Sequence, residues 1–174
     1  MPTTTNYALR YPADADDVDV PGDIQALAED ADTTLLAKLA KVSGVLTGPM
    51  ETSTISATAA TGTVNFDAIT QSVLYYTTSA SANWTLNVRG SSGTSLNTLM
   101  ATGTSITIAF LVTQGSTAYY QSALTIDGNS VTPKWQGASA PTAGNASGID
   151  VYTLTIFKTG SAAFTVLAAQ TAFA

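Results

Sequence analysis

The stretch IDVYTLTIFKTGSAAFTVLAAQ, Ile149 to Gln170, decides the fold class. Thr, Val, Ile, Tyr and Phe dominate it, the residue types that pleated, half-buried strands favour, and its pattern has a period of two. Thr159-Gly160-Ser161 breaks the pattern, so the stretch reads as a hairpin turning there. Working back along the chain, AYYQSALTIDGNSVTPKW repeats the form, with Asp127-Gly128 as a strong two-residue turn signal. In SITIAFLVTQG the alternation places Ile106, Ile108, Phe110 and Val112 on one face. In WTLNVRG it does the same for Trp84, Leu86 and Val88, and TVNFDAI and SVLYYTT precede them as two further strands. Short strands punctuated by turns predict an antiparallel β-sandwich of jelly-roll type over residues 64–174. The segment 137–148, GASAPTAGNASG, reads as a long flexible loop within it.

The period changes upstream. In PGDIQALAEDADTTLLAKLAKVSG, from Pro21, the residues Ile24, Leu27, Ala28, Ala31, Leu35, Leu39 and Val42 recur near 3.6 and predict one helix. Pro21 suits a first helical position, where its missing N–H is no loss, and Gly44 suits the stop. Asp23 and Glu29 come early and Lys38 and Lys41 late, which complements the helix dipole. Burying the large apolar residues of this stripe would contribute roughly 1.5–3 kcal/mol each, so the stripe calls for a partner: the β-domain or copies of the same helix. The chain is therefore expected to be mainly β, with an acidic arm and single helix over 1–44, a Gly/Ser/Thr/Ala linker over 45–63 holding at most one short strand, and the sandwich.

Charge is scarce and lopsided. Only 10% of the 174 residues are charged, well under the roughly 25% usual for soluble domains. Asp14, Asp16, Asp17, Asp19, Asp23, Glu29, Asp30 and Asp32 crowd the start, and after Glu51 the acids are Asp67, Asp127 and Asp150. So little surface charge protects a monomer poorly against association and predicts a surface covered by copies of itself or by partners. The net charge of −6 and the lack of a basic patch argue against nucleic acid as a partner. No apolar run reaches the length of a membrane-spanning helix, and the start MPTTTNYALRYP lacks the basic and apolar regions of a secretion signal. Synthesis in a cytoplasm without general export is the expectation.

The chain has no histidine and no cysteine. That removes the Ser-His-Asp triad, imidazole ligands, thiolate chemistry and disulfides. Asp67, Asp127 and Asp150 could in principle form a glycosidase pair, but Asp127 and Asp150 have ordinary turn roles. DADDVD, from Asp14, resembles a calcium loop only in part: where an EF-hand needs Gly and Glu it has Asp19 and Gln25. A solvated, helix-capping arm is the simpler account, with an irregular calcium site as the competitor. RGSSGTSLN, from Arg89, lacks the lysine and glycine spacing of a phosphate loop and reads as a flexible hairpin loop. Among the aromatic residues, Trp84, Tyr75, Tyr76, Tyr119 and Tyr120 are assigned to packing, and Trp135, in PKWQG beside the long loop, is the candidate surface contact. No cofactor is expected, and the chain is read as a non-enzyme.

The opening TTTNYALRYPADADDVDVPGDIQALAEDADT resembles the N-terminal segment of bacteriophage tail-fibre and minor tail proteins. The likeness rests on LRYP (Leu9, Arg10, Tyr11, Pro12), the acidic loop Asp14, Asp16, Asp17 and Asp19, and the P-x-D-I-Q-x-L-A helix carrying Ile24 and Leu27. VLTGPM at 45–50 is similar to segments that precede β-rich parts of such fibres, and the back half resembles the terminal β-domain of marine and cyanobacterial phage virion proteins. The resemblance implies a virion structural protein, assembled in the host cytoplasm and trimeric. Those N-terminal residues would dock to other tail or capsid proteins, and Trp135 would be a candidate contact to a host surface glycan. The chain lacks a long shaft, which keeps a short fibre, a fibre adaptor and a capsid decoration or head-fibre protein in view.

Overall fold

The computed structural model describes residues 20–39 and 50–174, and the chain divides into two compact units, Met1–Pro49 and Met50–Ala174. In the first, helix α1 runs Val20–Leu39, with Pro21 in its first turn as the sequence predicts. Gln25 Nε2 donates to Glu29 Oε1 (2.8 Å), an i,i+4 pair on the helix surface. Ile24 and Leu27 of the apolar stripe are 62% and 43% exposed. Leu9, Arg10, Tyr11, Asp14, Asp16, Asp17 and Asp19, the DADDVD segment and the helix stop at Gly44 lie outside the described residues.

The second unit is a β-sandwich. Its strands are β1 (Ser53–Ala59), β2 (Gly62–Asp67), β3 (Val73–Thr78), β4 (Trp84–Arg89), β5 (Ser105–Thr113), β6 (Gln121–Ile126), β7 (Asn129–Ser130), β8 (Lys134–Trp135), β9 (Ile149–Gly160) and β10 (Ala163–Phe173). A four-residue helix, α2 (Leu96–Leu99), sits between β4 and β5. One sheet has six strands in the order β1-β3-β5-β9-β10-β8, the other four in the order β2-β4-β6-β7. The expected linker thus contributes strand β1 and the first residues of β2.

The sandwich is mixed rather than antiparallel, and this corrects the jelly-roll expectation. From β1 to β6 the chain steps from one sheet to the other at every strand, so strands adjacent in a sheet run parallel: β1 with β3, β3 with β5, β2 with β4, β4 with β6. The antiparallel pairs are β6–β7, β5–β9 and β9–β10. A two-residue alternation is the same in parallel and antiparallel strands, so the sequence pattern located the strands and was silent on their partners. For the same reason RGSSGTSLN is no hairpin loop: it leads from β4 in one sheet through α2 to β5 in the other.

Both hairpins form. Ile126 pairs with Asn129 around Asp127 (φ 52°) and Gly128 (φ 79°), the left-handed pair that a type I′ turn requires. In β9–β10 the turn falls one residue later than predicted, on Ser161 and Ala162, with Gly160 paired to Ala163.

The core lies between the sheets, and the alternations of Trp84, Leu86, Val88 and of Ile108, Phe110, Val112 point into it. An edge-to-face series of rings crosses it: Tyr76–Phe110 at 5.3 Å, Phe110–Trp84 at 6.0 Å, Trp84–Tyr152 at 5.6 Å and Tyr152–Trp135 at 6.4 Å. Trp84 comes from the smaller sheet and touches rings of the larger one on both sides. It is 1% exposed. Trp84→Ala should therefore cost about 3–5 kcal/mol, read as a shifted urea midpoint, with Trp84→Phe losing clearly less.

Candidate functional site

Trp135, the predicted surface contact, sits on the short edge strand β8. Lys134 and Trp135 pair in parallel with Leu167 and Ala168 of β10. The Trp135 ring is half-buried, with its edge-to-face contact to Tyr152 anchoring one side. Three shallow depressions surround it. One of about 400 Å³ lies toward Thr153, Thr155 and Leu167. A second, of about 430 Å³, is bordered by Gln136, Ser139, Pro141 and Gln170. The third, of about 520 Å³, is bordered by Thr132, Pro133 and Ala140. A fixed indole flanked by amides and hydroxyls can stack on an apolar ring face and hydrogen-bond around it. None of Asp67, Asp127 and Asp150 lines these depressions.

The three aspartates hold the fold's own parts. Asp67 accepts from Arg89 Nε (2.6 Å) on the outer side of the smaller sheet. That hydrogen bond, more than the opposite charge, raises the Arg89 pKa above its ordinary value. Asp127, besides forming its turn, accepts from Leu96 N (2.6 Å) and Asn97 N (2.9 Å), the first amides of α2. At the other end of α2, buried Lys158 donates to the carbonyls of Asn97 and Met100. An acid at the helix start and a base at its end satisfy the free backbone groups and match the local dipole. The turn signal at Asp127-Gly128 was legible in the sequence; the long-range bonds of Asp127 and Lys158 to α2 were not.

Asp150 is wholly buried at one end of β9. Its Oδ2 accepts from Gln114 Nε2 (2.9 Å) and from Asn145 N (2.9 Å). Gln114 also bonds both ways with the Tyr119 backbone, and Asn145 Nδ2 donates to Phe173 O (2.9 Å). The end of the loop expected to be flexible is therefore pinned. Gly144 permits this, since a Cβ there would overlap Tyr119 O and lie 2.8 Å from both Asp150 Oδ2 and Gln114 Nε2. Near this polar end, Tyr152 accepts from Gln121 N through its hydroxyl (3.2 Å). Burial, reinforced by the Asp150 charge, pushes the Tyr152 phenol well above its usual range, while the bond from Gln121 opposes the shift. Asp150 Oδ1, Trp84 Nε1 and both amide atoms of Gln121 are buried without a protein partner among the described residues.

Among the described residues no three side chains of metal-ligating type come together, and no helix is long and apolar enough to cross a membrane. No family model, no curated protein and no solved structure matches the chain.

Two outcomes follow from these contacts. Asp127→Ala leaves two amides of α2 without their acceptor and should cost about 1–3 kcal/mol. Asp67→Ala removes a partly exposed pair and should cost at most about 1 kcal/mol; paired denaturation curves with amide exchange at α2 check the difference. Because the folded-state pKa of Tyr152 is raised, the unfolded chain loses that proton first as pH climbs past the ordinary phenol value near 10, so this group's contribution to stability falls with rising pH. An ultraviolet titration should show Tyr152 ionising last, together with alkaline unfolding, and Tyr152→Phe should abolish that late step.

Proposed function

We propose that the chain is a non-enzymatic structural protein of a bacteriophage virion, of tail-fibre type, attached through its N-terminal segment and presenting the β-sandwich. The observation that carries this reading is how the chain uses its charge. Asp67, Asp127, Asp150, Arg89 and Lys158 bond to the sandwich's own strands and loops. The remaining acids concentrate in residues 14–32, on and before a helix whose Ile24 and Leu27 face solvent. An acidic, apolar-striped segment beside a body with few free ionic groups suits an adaptor: one part docks, the other packs. The resemblance of LRYP and P-x-D-I-Q-x-L-A to tail-fibre N-termini supports the same division. In this reading the protein sits in the virion as a homotrimer, and its partners are other tail or capsid proteins. Capsid decoration or a head fibre is the same reading at another site on the particle.

A second reading, a carbohydrate-binding receptor module, is favoured by the anchored Trp135 and the polar side chains around it.

Deleting residues 1–43 should leave a folded β-unit that fails to join the particle, scored by quantitative mass spectrometry of purified virions. Normal incorporation would count against N-terminal docking. On a host-glycan array, Trp135→Ala should weaken any binding by at least about tenfold, equivalent to about 1.4 kcal/mol, with folding monitored by circular dichroism. Unchanged binding would remove Trp135 from the receptor reading.

A further inference from the structure

We infer that the outer face of the six-stranded sheet is the surface through which copies of this chain pack against one another. The inference rests on the assembly part of the proposed function and identifies the surface responsible.

The two outer faces of the sandwich differ in kind. On the smaller sheet, Asn87 Nδ2 donates to Asn65 Oδ1 (2.8 Å), Thr125 Oγ1 donates to Asn87 Oδ1 (2.8 Å), and Asp67 pairs with Arg89 alongside. That is an ordinary water-facing surface. The five long strands of the larger sheet contain two charged residues, Asp150 and Lys158, and both point inward and are buried. The outer face of these five strands is left without a charge; Lys134, exposed on β8 and paired with outward-facing Leu167, lies at its edge. Register aligns Ile55, Tyr75, Leu111 and Val151 in one apolar row across four strands. Beyond it Phe157 and Leu167 are 38% and 47% exposed, and Ile55 is 70% exposed.

Within AFLV of β5, Phe110 and Val112 are buried inside, while Ala109 and Leu111 lie on the outer face only partly covered. The size fits as well. Counting aligned outward positions at strand spacing and pleat repeat gives on the order of 500 Å² in projection. Accessible area exceeds projected area, so the face approaches the roughly 800 Å² per partner of a standard interface.

A second copy is the occupant that fits. A partner bringing charges to this face would bury them unpaired, so the complement must itself be uncharged. The same face of other copies meets that condition: in a closed cyclic homo-oligomer such as a trimer, adjoining parts of this face on neighbouring copies meet around the axis. The N-terminal helix can add to such an assembly but does not supply this area.

Exposed Thr153 lies mid-face on β9, between Ala109 and Ala169, so a charge placed there burdens an interface without entering the core. Sedimentation and light scattering of the full chain should show an oligomer. Thr153→Lys should weaken association by about a hundredfold or more. Thr63→Lys, on the outer side of the smaller sheet, should leave it intact. Mixing Thr153→Lys with Thr153→Glu should restore a mixed oligomer. Because the chain has no cysteine, Thr153→Cys gives a single labelling site and an independent measurement. Spin labels at 153 should report short distances between copies, and labels at Thr63→Cys long ones. A wild-type oligomer indifferent to Thr153→Lys, with distant labels at 153, overturns this inference while leaving oligomeric assembly standing. A wild-type monomer at all working concentrations overturns both.

Discussion

Trp84 joins the two sheets. Its ring leaves the smaller sheet and meets Phe110 on one side and Tyr152 on the other, each edge-to-face. Edge-to-face packing is directional, so these contacts fix how far the sheets sit apart and how they are offset, which aliphatic packing alone leaves looser. Tyr152 passes the constraint on to Trp135 at the sheet edge and, through its hydroxyl, to the start of β6 at Gln121. The position of the candidate contact residue is thus set from inside the core.

The ionic groups play the complementary part. Three of the few charges in the β-unit hold segments that backbone pairing does not: Asp127 and Lys158 clamp the two ends of α2, and Asp150 gathers the end of the 137–148 loop. Burying a charge is costly unless it is hydrogen-bonded; backbone amides and carbonyls supply most of the partners of these three, and Asp150 Oδ1 is left without a protein partner among the described residues. One consequence concerns chemistry. Asp127 and Asp150 are engaged by backbone amides and Asp67 by Arg89, at three separate places. Another concerns the surface: with Asp150 and Lys158 turned inward, the five long strands of the larger sheet face outward with hydroxyl-bearing and apolar residues, and Lys134 stands at the edge.

Much of the fold was legible in the chain. The switch from a 3.6 to a 2.0 period separated α1 from the strands, and the inward alternations in β4 and β5 matched the core. Asp127-Gly128 marked its hairpin because only residues tolerant of positive φ fit such a turn. The short pairings were harder. β8 is two residues long and exists because β10 lies beside it, and α2 is four residues held at both ends by side chains about thirty and sixty positions away. No local signal encodes such elements.

By itself the sequence determined that the chain is mainly β, where its strands and long helix fall, and that acid is concentrated near its start, since these follow from residue type and periodicity. Tertiary structure alone decided which strands are neighbours, that the leading strands run parallel while crossing between sheets, and what each of the three aspartates bonds to. The physical reason is common to all of these. Strand pairing and side-chain bonding are settled between residues far apart in the chain, and a pattern with a period of two is satisfied equally by any partner in phase with it.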